Sequence, residues 1–148
     1  MKPKKIKIIP FRTNNVKAFE LCRQIRTDVF IVEQEVAEEE EFDAFEGESQ
    51  HYLMMLDELA IGTARWRNSD NGVKLERFAV LKGFRGNNYG ELLLKKVIDD
   101  ASKAADYLYL HAQLKAVSFY ARQGFRKTGP QFEECNILHY KMDLKTKK

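Results

Sequence analysis

The chain has 148 residues, of which 44% are hydrophobic and 32% charged, as in an ordinary soluble globular protein with one domain. Its formal net charge of +3 is too small to predict nucleic-acid binding. We find no stretch that could span a membrane and no apolar segment of signal-peptide length, and therefore expect a cytoplasmic protein. Its two cysteines, Cys22 and Cys135, form no CxxC pair and predict neither a disulfide framework nor a metal site.

The first third of the chain predicts a strand, a helix and an acidic segment. Residues 6–11 are typical of a strand, and Thr13 or Asn14 can cap the helix that follows. That helix should end near Phe30, with a buried stripe at Ala18, Leu21, Cys22, Ile25 and Val29. Residues 33–48 are rich in carboxylates, which predicts a solvated loop or a short exposed helix. A second interpretation is a negative rim that attracts a cationic amine.

The middle of the chain predicts an antiparallel meander followed by a loop and a helix. Residues 51–56, 60–67 and 73–81 are expected as strands, with turn signals at Asp57-Glu58 and at 68–72. A polar loop follows, reading Arg85-Gly86-Asn87-Asn88-Tyr89-Gly90. It leads into a helix whose apolar face consists of Leu93, Leu94, Val97, Ile98 and Ala101.

The last third predicts a strand, a short helix and a closing pair of strands. Residues 107–110 are expected as the strand and 114–122 as the helix, which Gly124 ends in a left-handed conformation. Residues 125–127 and 137–144 should form the closing pair, around Gly129-Pro130. Because there is no internal repeat, linker or low-complexity segment, we expect one α+β domain over residues 1–148.

The strand, basic loop and helix around residue 85 have the geometry of a phosphate-binding site. The first amides of a helix have no partner within the helix, and the helix dipole makes that end positive. Small residues let the backbone approach an anion, and Arg85 adds a permanent charge. The loop is neither a Walker loop nor a dinucleotide fingerprint, because it lacks Gly-Lys-Ser/Thr and GxGxxG.

This loop resembles the Arg/Gln-x-x-Gly-x-Gly/Ala signature of the GCN5-related N-acetyltransferases (GNATs), whose backbone amides hold the pyrophosphate of acetyl-CoA. Arg85 and Gly90 match that signature, whereas Asn88 stands where the family usually has its middle glycine. Asparagine is the non-glycine residue that best tolerates a positive φ. The loop is therefore expected to form despite the substitution.

A second segment is similar to the family pattern Asn-x-x-Ala-x-x-Phe-Tyr-x-x-x-Gly-Phe. Its matching positions are Gln113 (where asparagine is common), Ala116, Phe119, Tyr120, Gly124 and Phe125. The two motifs occur in the family's order, separated by a helix and a strand. Together with the opening strand and helix and the C-terminal strands, the resemblance covers nearly the whole chain.

The resemblance implies an α+β fold in α/β/α layers, with a mixed, mostly antiparallel twisted sheet whose central strands 4 and 5 splay apart. Acetyl-CoA, the co-substrate, would lie in that wedge, with its pantetheine on the strand backbone at Phe78, Ala79 and Val80. Its pyrophosphate would lie on the amides of Arg85, Gly86, Asn87, Asn88, Tyr89, Gly90 and Glu91. Gln113 and the helix of Tyr120 would flank the thioester, and Phe119 is also expected to bind the cofactor.

Acetyl transfer to an amine needs a base, or a water relay, to make the amine neutral and an acid to protonate the departing CoA thiolate. Tyr120 matches the position where many relatives keep a tyrosine as that acid; the alternative is a tyrosine that only packs. The first candidate for the base is His139. It lies on a strand similar to that of a small bacterial subgroup, including the glyphosate N-acetyltransferases, in which a histidine near the C-terminus serves as the base. Glu76 is a second candidate, expected on the same strand face as Phe78 and Val80. His111 is the third.

The function implied is direct transfer, in a ternary complex, from acetyl-CoA to a primary amine of a small molecule. No histidine spacing supports a covalent acyl-enzyme at Cys135. Two alternatives remain: a non-catalytic acyl-CoA sensor on the same fold, and an acetyltransferase acting on proteins or peptides. The oligomeric state is open between a monomer and a homodimer, and neither a nucleic-acid partner nor a membrane partner is expected.

Overall fold

The computed structural model describes residues 4–146 and contains one seven-stranded sheet of order β1-β2-β3-β4-β5-β7-β6. The strands are β1 Ile6–Phe11, β2 Gln50–Leu56, β3 Leu59–Ser69, β4 Gly72–Val80, β5 Tyr107–Gln113, β6 Arg126–Glu134 and β7 Ile137–Lys145. The α-helices are α1 Val16–Arg26, α2 Glu38–Glu41, α3 Tyr89–Ala101 and α4 Val117–Ala121. A π-helix, Thr27–Glu33, extends α1, and 3₁₀ turns lie at Glu46–Glu48, Lys82–Phe84 and Leu114–Ala116.

Strands β4 and β5 are the parallel neighbours in this otherwise antiparallel sheet. They pair only at Val73 with Leu108 and at Lys74 with Tyr109. Beyond those two pairs the strands diverge, so the remainder of β4 has no ladder partner on its β5 side. The splayed central strands implied by the family resemblance are confirmed.

Each face of the sheet carries its own apolar core. On one face α3 buries Leu93, Leu94 and Val97, in a cluster that includes Leu75 and Leu108. On the other face α1 buries Cys22 and Ile25, in a cluster that includes Phe11, Leu53 and Ala79. The α/β/α layering is therefore confirmed. None of the helices in residues 4–146 is long and apolar enough to cross a membrane.

The opening helix differs from prediction at both ends. Its cap is Asn15, whose side-chain oxygen accepts a hydrogen bond from the Ala18 amide at 3.2 Å; the prediction of Thr13 or Asn14 was wrong by one or two residues. At the other end the chain continues past Phe30 as the π-helix to Glu33. Glu35, with φ of 58°, then turns the chain out of the helical path.

The closing hairpin has its turn at a different place from the one predicted. Strand β6 runs through Gly129-Pro130, where the register with β7 shifts, and continues to Glu134. The turn is Cys135-Asn136, and both residues have positive φ, 52° and 63°. A two-residue turn of this kind matches the twist of the strands, but cysteine is a rare choice for it. The Gly-Pro pair was therefore the stronger turn signal in the sequence, although in the structure it marks a register shift within the hairpin.

A β-bulge at Arg77 changes the face on which Glu76 lies. Arg65 pairs with Glu76 whereas Thr63 pairs with Ala79, so β4 has one extra residue, and Arg77 has φ of 61°. Thr63 contacts Cys22 of α1, which places Glu76 and Ala79 on the α1 face. The expectation that Glu76 shares a face with Phe78 and Val80 is wrong, because a bulge interrupts the alternation of side chains.

Candidate active site

A cavity of about 690 Å³, here called the wedge cavity, lies in the wedge where β4 and β5 diverge. Most of the predicted site residues line it, although they come from four separate parts of the chain. They are Glu76, Phe78, Ala79, Val80, Arg85, His111, Gln113, Phe119, Tyr120 and His139.

A second cavity of about 300 Å³ adjoins the first at the start of α3. Its predicted lining residues are Gly86, Asn88, Tyr89, Gly90 and Glu91, and it shares Val80, Arg85 and Phe119 with the wedge cavity. Asn87 lines neither cavity; its amide nitrogen donates to the carbonyls of Phe84 and Arg85, both at 3.4 Å. Together the cavities make one path from the wedge to the helix end.

The N-terminus of α3 is left without a side-chain cap. Asn88 is the N-cap residue and has φ of 66°, but its side chain makes no capping hydrogen bond. The expected left-handed conformation of Asn88 is therefore confirmed. Gly86, with φ of 85°, also needs the left-handed region. Uncapped first-turn amides and the positive dipole end of a 13-residue helix suit an anion.

Arg85 is held by a carboxylate that sequence reasoning missed. Its guanidinium donates to both oxygens of Glu33 at 3.0 and 2.9 Å, and its Nε donates to the Val80 carbonyl at 2.8 Å. The hydrogen bond from Arg85 lowers the pKa of Glu33. The charge expected to be free for an anion is thus already paired with the end of the π-helix.

Tyr120 is buried beside the wedge and is surrounded by rings. Phe78, Phe119 and Phe125 meet its ring edge to face, with centroids 5.1 to 6.1 Å away. Burial raises the pKa of the phenol, so it stays protonated at neutral pH. Within residues 4–146 its hydroxyl makes no hydrogen bond, and the side chain lines the cavity. This hydroxyl is therefore available to donate a proton.

The orientation of the His139 ring leaves one nitrogen as a proton acceptor. Its Nδ1 lies 2.7 Å from the Ile137 carbonyl, which can only accept, so Nδ1 carries the proton of the neutral ring. The lone pair is then on Nε2. His139 is 7% exposed, and its ring stacks on Phe132 with centroids 5.7 Å apart.

His111 is paired with a second carboxylate that sequence reasoning did not find. Its Nδ1 lies 2.8 Å from Oε2 of Glu134, and both residues line the wedge cavity. The hydrogen bond from His111 lowers the pKa of Glu134. No local pattern in the sequence indicates this contact, because it depends on how β5, β7 and β6 stand side by side in the sheet.

The surroundings of Glu76 make it a poor proton acceptor. Its carboxylate lies 2.9 Å from Arg65, 2.8 Å from Arg67 and 3.2 Å from Lys74. Burial opposes its ionisation, but the three cations outweigh burial and lower the pKa to about 2. A carboxylate that is bound so strongly by cations has little tendency to take a proton from an amine, and the geometry favours a histidine instead.

The acidic segment is exposed, as expected, at residues 38–40 of α2, but Glu41 is buried and Asp43 and Glu46 are half-buried. Arg26 bonds to Glu41 at 2.7 Å and to Glu46 at 2.8 Å. Arg65 bonds to Asp43 at 2.8 Å and to Glu46 at 2.9 Å, and both arginines are at most 1% exposed. These pairs neutralise three carboxylates of the predicted negative rim, Glu41, Asp43 and Glu46. They also fix α2, whose Glu40 and Glu41 line the wedge cavity.

Comparison with known proteins places this architecture in a family. Residues 18–146 match the family model described as "Acetyltransferase (GNAT) domain". The chain belongs to the GNAT acetyltransferases. It is therefore an acyltransferase with the GNAT fold, as the two motifs around Arg85 and Tyr120 implied.

The individual relatives and solved structures that match cover between 80% and 95% of the chain. The uncharacterised N-acetyltransferase YjcF of Bacillus subtilis is 38% identical over 120 residues, which are 80% of this chain and 86% of YjcF. The crystal structure of Escherichia coli ElaA superposes with a TM-score of 0.83 at 25% identity, covering 94% of this chain and 99% of ElaA. A GNAT acetyltransferase from Elizabethkingia anophelis, solved with acetyl-CoA bound, has a TM-score of 0.67 at 18% identity, covering 95% of this chain and 97% of that chain.

Proposed function

We propose that this chain transfers the acetyl group of acetyl-CoA directly to a primary amine of a small molecule. The observation that supports this most strongly is one continuous path. The path runs from the uncapped N-terminus of α3 to the wedge cavity. That cavity is lined by Tyr120, whose hydroxyl makes no hydrogen bond among the described residues, and by His139, whose Nε2 is free to accept a proton. Each part suits one part of an acetyl-CoA–amine pair.

The shape and polarity of the path fit the cofactor. A strand edge without a ladder partner offers amides and carbonyls to an extended, amide-containing chain such as pantetheine, and β4 has such an edge beyond Lys74. The positive end of α3 then offers its amides to the pyrophosphate. Residues 78–80 and 85–91 are accordingly proposed to hold acetyl-CoA, with Gln113 and Phe119 beside it.

The residues of the wedge supply the two proton transfers. His139, through Nε2, takes a proton from the amine as nitrogen attacks the thioester carbonyl. Tyr120, kept neutral by burial, gives its proton to the sulfur as the carbon–sulfur bond breaks. Direct attack also agrees with Cys135, because burial and the Glu40 carboxylate raise the pKa of that thiol to about 11. A protonated thiol is a poor nucleophile.

The acceptor side of the wedge favours a small molecule over a protein. The turn of the β6–β7 hairpin reaches α2, and Sγ of Cys135 donates to Oε2 of Glu40 at 2.9 Å. This contact joins two elements that line the cavity, and we infer that it restricts the opening available to a polypeptide. A small amine needs no such opening.

The test is acetyl transfer measured against a panel of small amines and basic peptides. Thiol release and the mass of the product should both report turnover with at least one small primary amine, and with the peptides much less. Acetyl-CoA binding without turnover on any acceptor would support the non-catalytic sensor instead. Faster turnover on peptides would move the assignment to a protein acetyltransferase.

A further inference from the structure

Two histidines lie on the same face of the sheet at the wedge cavity, one on each side of an aromatic ring. Gln113 of β5 pairs with His139 of β7, so these two side chains share a face of the sheet. His111 is two residues before Gln113 and therefore shares that face as well. Both histidines line the wedge cavity. Phe132 separates their rings, with centroids 5.0 Å from His111 and 5.7 Å from His139.

The two rings are held by different partners. Nδ1 of His139 faces a backbone carbonyl, whereas Nδ1 of His111 faces the carboxylate of Glu134 at 2.8 Å. Both contacts leave Nε2 as the proton acceptor, but only the carboxylate offers a full negative charge to an imidazolium. The side chains of His111 and Glu134 are 27% and 39% exposed, whereas His139 is 7% exposed. The His111–Glu134 pair is thus the one nearer to solvent.

The other groups around His111 are already engaged. Lys141 lies opposite His111 in the register, but its Nζ sits over the ring of Tyr109 at 4.9 Å. Lys74 of β4 also lines the cavity and is paired with Glu76 at 3.2 Å. Glu134 on β6 is therefore the charged group in direct contact with His111 among the residues that the structure describes.

The reaction of an ammonium ion releases two protons from nitrogen. The first must leave before attack, to free the lone pair, and the second leaves after the carbon–nitrogen bond has formed. One proton is transferred by Tyr120 to the CoA sulfur when the carbon–sulfur bond breaks. The overall reaction therefore converts an ammonium ion and a thioester into an amide and a thiol, and releases one proton to solvent. A single base would have to discharge the first proton before it could take the second.

We propose that His111, oriented by Glu134, takes the first proton from the incoming ammonium, and that His139 takes the second during attack. The imidazolium of His111 passes its proton to solvent. The imidazolium of His139 gives its proton to the phenolate of Tyr120 and so restores the neutral tyrosine. Glu134 is a positioning residue in this scheme. The inference rests on the proposed function, since it concerns the same transfer to an amine.

The test uses pairs of amines that have the same shape but differ in protonation. Phenethylamine and propylamine are ammonium ions near neutral pH, whereas O-benzylhydroxylamine and O-ethylhydroxylamine, in which oxygen replaces the methylene next to nitrogen, are neutral. His111→Asn should lower kcat/KM for the ammonium member of a pair by about tenfold or more. It should leave kcat/KM for the neutral member nearly unchanged. Its deficit on the ammonium member should shrink as pH rises.

Three further variants separate this role from others. Glu134→Gln should reproduce the selective loss in weaker form, whereas Glu133→Gln should not, because Glu133 is an exposed neighbour on β6 without contact to His111. His139→Ala should lower kcat/KM for both members. Equal losses on both members in His111→Asn would overturn the inference and leave a structural histidine. Inactivity of the wild type on every amine of the wider panel would instead overturn the proposed function.

Discussion

At the residue scale, the hydroxyl of Tyr120 is the most direct point to test. Tyr120→Phe keeps the three ring contacts, so the Kd for acetyl-CoA should stay nearly unchanged. The loss of the proton donor should lower kcat by about 10²-fold, the low end for one general acid. Steady-state kinetics and calorimetry on the same preparation measure both quantities. A variant with full activity would reduce Tyr120 to a packing residue.

The left-handed conformation of Asn88 predicts opposite effects of two substitutions. Asn88→Gly should preserve or improve CoA binding, because glycine adopts φ of 66° without strain. Asn88→Val should weaken binding by about tenfold, since a β-branched residue in that region costs about 1–2 kcal/mol. Calorimetric titration with CoA measures the difference. Asn71→Val, in the exposed turn between β3 and β4, is the control because Asn71 lines neither cavity, and an equal loss in that variant would contradict the prediction.

At the scale of elements, the buried arginines hold the acidic segment against the sheet. Arg26→Met leaves Glu41 and Glu46 without their closest cation, and breaking a buried pair costs about 3–5 kcal/mol. Urea unfolding should show a loss of that order in the free energy of unfolding. Arg23→Met is the control one turn earlier on α1, where the guanidinium lies over the rings of Phe19 and Phe42. A loss in Arg26→Met no larger than in Arg23→Met would show that the network contributes little to stability.

The elements also show which features the sequence can predict. Strands and helices follow from local apolar patterns, so β1, α1, α3 and the meander were found within a few residues. The cavities lie where the motifs around Arg85 and Tyr120 meet. Asn87 is the one predicted site residue that lines neither cavity.

Features that depend on contacts between distant segments were missed. The bulge at Arg77 arises from pairing with β3, and the contacts of Glu41 with Arg26 and of Glu134 with His111 join separate elements. The sequence does not show which distant residue a charged side chain will contact in the fold. The acidic segment therefore looked solvated, and Glu76 looked like a base.

At the scale of the whole molecule, His51 and Glu76 make stability depend on pH. His51 is fully buried between the rings of Phe11 and Phe19; its Nε2 donates to the Glu46 carbonyl at 2.9 Å, while Nδ1 has no partner within residues 4–146. Burial lowers the pKa of His51. The unfolded chain thus binds more protons below the ordinary pKa of about 6.5, and stability falls as pH decreases through that value.

We expect acid destabilisation in two stages, measured as the midpoint of urea unfolding against pH. The first stage, below about pH 6.5, belongs to His51 and should be absent in His51→Gln. The second belongs to the carboxylates whose pKa is lowered in the fold, chiefly Glu76 and also Glu33 and Glu134. Glu76 stabilises the fold at pH values above its unfolded pKa of about 4.5, and this contribution is lost as the pH falls towards its folded pKa of about 2. An unchanged first stage in His51→Gln would assign it to another group.

The contact between Arg85 and Glu33 has a consequence for ionic strength. If acetyl-CoA binds as proposed, its pyrophosphate replaces a carboxylate that Arg85 already holds, so binding exchanges one anion for another. Added salt screens the new attraction but also weakens the old pair, and the two effects partly cancel. The Kd for CoA should therefore rise less steeply with sodium chloride in the wild type than in Glu33→Gln, where the guanidinium starts without a counter-charge.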